Sequence, residues 1–172
     1  MSTATLFGCS SHPPMPTVDH VDIKRFMGDW YVIANIPTFI ETEAHNAVEN
    51  YQLNDDGTVA TTFSFNNGSF DGEKKVYRPK GYIVDTTSNA TWGMQFIWPI
   101  KADYRIVYLD DEYSQTIIGR SKRDYVWVMA RTPSISETEY QQLVQVIAGL
   151  GYDTDKLRKV PQKWTTQSGA GQ

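Results

Sequence analysis

Gly28-Asp29-Trp30-Tyr31-Val32-Ile33-Ala34-Asn35-Ile36 is a run rich in β-branched and aromatic residues, entered through a glycine and stopped by Pro37. Such a run reads as a strand. Working outward, residues 48–53 and 58–65 form a hairpin around Asn54-Asp55-Asp56-Gly57, a strong turn signal. Residues 74–84, 92–98, 104–109, 113–119 and 125–131 supply five more strands, the last ending at Arg131. Eight short strands with no long helix between them predict an all-β fold, an antiparallel up-and-down barrel whose closure removes the edges. An eight-stranded barrel is filled by side chains or holds one small ligand.

The flanks fit that reading. Residues 21–27 carry apolar side chains at helical spacing and predict one turn of helix under the barrel floor, broken by Gly28. After the last strand, Ser136 and Glu139 form a capping box. Tyr140, Leu143, Val144, Ile147 and Leu150 then recur along one face only, so one α-helix packs outside the barrel. Residues 159–164 add a short edge strand. The domain spans 21–164, with residues 1–20 expected as a Pro/Ser-rich tether and 165–172 as a disordered tail.

Length and composition narrow the function. The 172 residues make one domain; the net charge of −4 is spread without a basic stripe, which argues against nucleic acid. No apolar run is long enough to span a membrane as a helix. His12, His20 and His45 fall in tails or a loop without metal-ligand spacing, and no nucleophile elbow or barrel cysteine offers an enzyme's chemistry. No catalytic residue, metal or cofactor is expected.

Three separated motifs carry a family resemblance. They are Gly28-x-Trp30, the turn Asp110-Asp111-Glu112-Tyr113, and Arg131 followed by Thr132-Pro133 and the helix. Together, in this order, they resemble the lipocalins. The stretch from Arg123 to Ser136, and Gly151-Tyr152-Asp153 after the helix, are similar to the bacterial lipocalins, with plant temperature-induced lipocalins and apolipoprotein D as relatives. The resemblance implies that Arg131 lies across the Trp30 ring at the closed end, a cation–π contact of ~1–2 kcal/mol when partly desolvated. It implies an outer-membrane lipoprotein that binds a fatty acid or, preferably, a lysophospholipid, in the service of membrane maintenance. Bacterial members can pair, so a homodimer is an open alternative.

Leu6-Phe7-Gly8-Cys9-Ser10 resembles a lipobox, in which the cysteine is acylated, with Ser10 of the type associated with outer-membrane sorting. Met1 to Thr5 has neither a basic start nor an apolar stretch, so the segment as written is an incomplete signal. Cys9 is the candidate membrane anchor.

Alternation along each strand predicts the cavity lining. Trp30 inward carries Val32, Ala34 and Ile36 inward; Arg131 at the floor carries Met129, Trp127 and Tyr125. Trp92, Met94, Phe96 and Trp98 are the bulkier set of the fifth strand. Ile106 and Tyr108, then Tyr113, Gln115 and Ile117, follow by register. Tyr51 is placed inside, and Glu49 solvated near the mouth, because an unpaired buried carboxylate is costly. Lys74, Lys75, Arg78 and Lys80 form a basic run at the mouth that could meet a lipid headgroup or simply be a solvated edge. Two rival readings are carriage of haem or another hydrophobic small molecule, with His45 the one credible axial ligand, and a packed scaffold barrel that binds through its surface.

Overall fold

The computed structural model describes residues 13–164. Cys9, its lipobox-like surroundings and the tail 165–172 lie outside the described residues. The chain forms a closed antiparallel β-barrel with a C-terminal helix on its outer wall. Strands β1 (Gly28–Ile36), β2 (Ala44–Leu53) and β3 (Val59–Asn67) follow in order. After them come β4 (Lys74–Tyr77), β5 (Lys80–Ile83), β6 (Thr91–Ile97), β7 (Ile100–Leu109), β8 (Gln115–Gly119) and β9 (Val126–Ala130). Pairing of β1 with β9 closes the sheet.

One expected strand, residues 74–84, is broken. Pro79 has no N–H to give a ladder, and the strand splits at Arg78-Pro79 into β4 and β5. β5 pairs with β3 and β6, whereas β4 pairs with β3. The two pieces occupy one of eight positions around the barrel.

The closed end is built by α1 (Ile23–Phe26), whose N-cap Asp22 accepts from the backbone of Lys24 and Arg25. This single turn drops Phe26 into the barrel, where it contacts the Trp30, Tyr51 and Trp92 rings at centroid distances of 5.1, 5.6 and 5.7 Å. Trp30 Nε1 donates to the Phe26 carbonyl at 2.9 Å. Arg131 stacks 3.8 Å over the Trp30 ring and donates to the carbonyls of Arg25, Phe26, Met27, Asp29 and Tyr113. The glycine before Trp30 has a reason: Gly28 has φ +96°, and a Cβ there would stand 3.4 Å from Arg131 Nη1.

Helix α2 (Glu137–Gly149) starts in the expected capping box, with Glu139 N–H donating to Ser136 Oγ at 3.2 Å and Ser136 N–H to Glu139 at 2.8 Å. Its buried Leu143 and Ile147 cover Val126, Val128 and Ala130, the outward residues of β9. Beyond it, β10 (Arg158–Lys159) pairs with the end of β1 that β2 leaves free. Residues 13–20, expected as part of a tether, lie instead against the barrel. Met15 is buried beside the helix layer, Val18 N–H donates to the Ile106 carbonyl, and Arg123 donates to the Pro13 carbonyl. Apolar Met15 and Val18 gain more from burial than a solvated linker would.

Of the four register shifts in the barrel, two turn expected lining residues away from the interior. Val32 pairs with Met129 but Ala34 with Val128, so Ile33 is a bulge on β1. On β7, Ile106 pairs with Ile118 and Tyr108 with Ile117, making Val107 a second bulge. Each bulge reverses the alternation beyond it.

Candidate functional site

Above the aromatic floor the barrel interior opens into a cavity of about 480 Å³, within the usual range for a small-molecule site. Its walls come from Phe63 on β3, Tyr77 on β4, Met94 on β6, Ala102 and Tyr104 on β7, and Tyr125 and Trp127 at β9. Thr38, Phe39 and Ile40, in the loop between β1 and β2, reach over it.

The cavity holds two carboxylates. Glu41, from the same loop, is only 3% exposed and is held by donors: Thr38 N–H at 3.1 Å, the Thr38 hydroxyl at 3.0 Å and Trp127 Nε1 at 3.1 Å. Burial raises its pKa, and the bonds from Thr38 and Trp127 oppose that rise. Glu49, on β2, accepts a short 2.5 Å hydrogen bond from the Tyr51 hydroxyl, which lies 2.8 Å from that of Tyr104. Tyr51 has one proton to give, so while Glu49 is ionised Tyr104 donates to Tyr51. Burial and, to a lesser degree, the neighbouring Glu41 charge push the Glu49 pKa up to about 7; the Tyr51 bond works against them. Burial and Glu49 likewise hold both tyrosines well above the ordinary phenol range. Among the described residues neither glutamate forms an ion pair.

Cations stand at the rim. Arg78, at the break between β4 and β5, is exposed and lines the opening, as does Arg120, which lies 3.6 Å from Asp124. The rest of the expected basic run is elsewhere. Lys75 pairs with Glu73 at 2.7 Å, Lys80 with Asp56 at 3.2 Å beside the β2–β3 turn, and Lys74 is exposed without lining the cavity.

Of the expected lining, Met94, Phe96, Tyr125 and Trp127 reach the cavity. Val32, Tyr51, Trp92, Ile106 and Met129 point inward but pack below it. Ala34 and Ile36 face outward under the helix, turned there by the Ile33 bulge, and Tyr108 is turned outward by Val107. Tyr113 belongs to the closed end, where it carries φ +57°, stacks under Arg25 and accepts from Asp22 N–H. On β8 the alternation is the reverse of that expected. Thr116 and Ile118 pair with inward residues of β9, Ile117 lies in the outer layer, and Gln115 donates to Glu139 of the helix. Trp98 sits in the β6–β7 turn, 82% exposed. His45 packs on Phe70 outside the lining, so the haem reading loses its ligand. Glu49 is in the cavity rather than at its solvated mouth. The sequence contained that signal, since Tyr51 inward requires Glu49 inward when no bulge separates them, and the register from Val48 to Leu53 is continuous. Glu41 had none, because a loop has no period.

Exposed Phe39, Phe96, Ile97, Trp98 and Ile100 come from the β1–β2 loop and the β6–β7 hairpin. Phe39, Phe96 and Ile97 also line the cavity, so the apolar surface continues from interior to rim. No helix among the described residues is long and apolar enough to cross a membrane, and no cluster of metal-ligating residues occurs among them.

Comparison with known proteins places this geometry among relatives. The family model for a lipocalin-like domain matches residues 21–162. Temperature-induced lipocalin-1 of Arabidopsis thaliana is 33% identical over 162 residues, covering 88% of this chain and 84% of the plant protein. Outer membrane lipoprotein Blc of Citrobacter freundii is 29% identical over 168 residues, 94% of this chain and 90% of that one. Among solved structures, insecticyanin from the tobacco hornworm superposes with a TM-score of 0.68 at 15% identity, covering 90% of this chain and 86% of that one, a likeness of fold.

Proposed function

The chain belongs to the lipocalin family, whose members bind small hydrophobic ligands, and we propose that it carries one lipid, a fatty acid or a lysophospholipid, in the upper half of its barrel. The observation that carries this reading is the aromatic, apolar cavity of about 480 Å³ with Arg78 and Arg120 at its rim. Each methylene buried there is worth ~0.8 kcal/mol, so a long acyl chain contributes on the order of 10 kcal/mol before ordering costs. The rim arginines suit a carboxylate or phosphate head left at the mouth. A cavity of this size also speaks against a scaffold whose interior is filled by its own side chains.

The apolar rim fits a barrel that meets a membrane surface to take up or deliver its lipid, and the name of the Blc relative fits anchoring at the outer membrane through Cys9. If a second copy of the chain covers the rim instead, sedimentation shows a dimer.

Titrating delipidated protein with a lysophospholipid and a free fatty acid of equal chain length tests the reading, since Trp127 reports on the cavity. Saturable quenching at one lipid per barrel is expected; no response to either lipid overturns it. Met94 is 4% exposed and lines the cavity. Met94→Trp fills space the chain needs and is expected to weaken lipid binding at least tenfold with the circular dichroism unchanged. Unaltered affinity would remove the lipid from this cavity.

A further inference from the structure

We propose that the occupant carries a hydroxyl at its inward end, received by Glu49 beside the Tyr51–Tyr104 hydroxyl pair. This rests on the carrier reading and adds the chemistry of the end that enters first.

A plain acyl chain inserted tail first would bring a methyl group against the Glu49–Tyr51–Tyr104 cluster. Glu49 and Tyr104 line the cavity, while Tyr51 lies behind them, fully buried. Tyr51 bonds one Glu49 oxygen, and among the described residues the other has no donor. Covering that oxygen with a methyl removes water and returns nothing, at the cost of an unsatisfied buried acceptor.

Two further polar groups turned toward the barrel interior lack partners, although neither lines the cavity. Asn35, 3% exposed, is turned inward by the Ile33 bulge and pairs along the ladder with Trp127. Its Nδ2 has no hydrogen-bond partner, although the amide lies near enough to Glu41 to lower that group's pKa slightly. Thr61, also 3% exposed, pairs with Tyr51 across the β2–β3 ladder and leaves its hydroxyl unbonded. The free Glu49 oxygen at the cavity wall calls for a hydrogen-bond donor on the inner end of the occupant. A hydroxyl supplies one at a small desolvation cost; a carboxylate would meet Glu41 and Glu49 as a like charge, and an ammonium costs far more to take out of water.

The sharpest test compares decanoate with 10-hydroxydecanoate at pH 8, titrated by tryptophan fluorescence. Both keep the same carboxylate for Arg78 and Arg120 and differ in the inner end alone. The hydroxylated ligand is expected to bind at least threefold more tightly, and Glu49→Leu to reverse that order. An ordinary apolar pocket gives the opposite in the wild-type protein, because the hydroxyl loses water without replacement. Equal or weaker binding of 10-hydroxydecanoate overturns the inference while leaving the carrier reading intact. Binding of neither ligand, nor of longer chains, overturns both. Should Glu49→Leu fail to fold, the wild-type pair alone decides.

Discussion

Arg131→Ala is expected to lower the unfolding free energy by about 3–5 kcal/mol, well beyond the ~1–2 kcal/mol of a cation–π contact alone. The larger figure follows from the five carbonyls that the guanidinium collects, all at the closed end. Three belong to Arg25, Phe26 and Met27, so the side chain ties α1 to the barrel and keeps Phe26 seated against Trp30. Without it, those carbonyls lose a charged donor, and the Trp30 ring loses its cover. A melting temperature lower by on the order of 10 °C is the readout. Arg131→Lys keeps the charge but not the planar fork, and should fall between the two. A change below 1 kcal/mol in the alanine variant would mean that the closed end is held by its aromatic packing alone.

The second expected result is a stability that declines as pH rises through the weakly acidic range. Glu49 titrates near 4.5 in the unfolded chain and at about 7 in the barrel. Between those values the folded state keeps a proton that the unfolded state has lost, so raising the pH favours unfolding. The full stability is present below about 4.5, and the penalty is complete above about 7. A shift of that size corresponds to up to about 3 kcal/mol, with water in the cavity screening part of it. Glu41, raised in the same direction by its own burial, adds to the trend. Exposed Asp56 and half-buried Asp85, lowered by hydrogen bonds from Thr58 and Ser88 respectively, act in the opposite sense and at lower pH. The difference between wild type and Glu49→Gln isolates the effect. Glu49→Gln is expected to be the more stable at pH 8, and the gap should close by pH 4.5. A gap independent of pH would mean that Glu49 is as well solvated in the barrel as in the unfolded chain.

Ligand and proton are linked through the same group. A hydrogen-bond donor seated on Glu49 stabilises its charged form, so a hydroxylated ligand should flatten the pH dependence of stability as well as raise its level.

Local sequence was sufficient wherever one short-range rule acted alone. The Asn54–Gly57 turn, the Ser136–Glu139 box, the one-sided helix and the Gly28-x-Trp30 entry are each complete within a few residues. The inward direction of Trp30, Val32, Met94 and Met129 was equally legible, because those positions lie on the near side of any bulge. The order of the strands, and hence closure of the barrel, followed from their number and spacing. What the sequence could not supply was the count of residues between ladder partners. Ile33 and Val107 are single additions that nothing in their own identity marks, yet each moves the residues after it to the other face, taking Ala34, Ile36 and Tyr108 out of the barrel. Nor could the sequence bring Glu41 against Trp127, which stand 86 positions apart. The chain's local patterns thus determined a barrel with a closed aromatic end. Its tertiary pairing decided how deep the cavity runs and that carboxylates line it, because alternation is a local property while register and loop closure depend on partners distant in sequence.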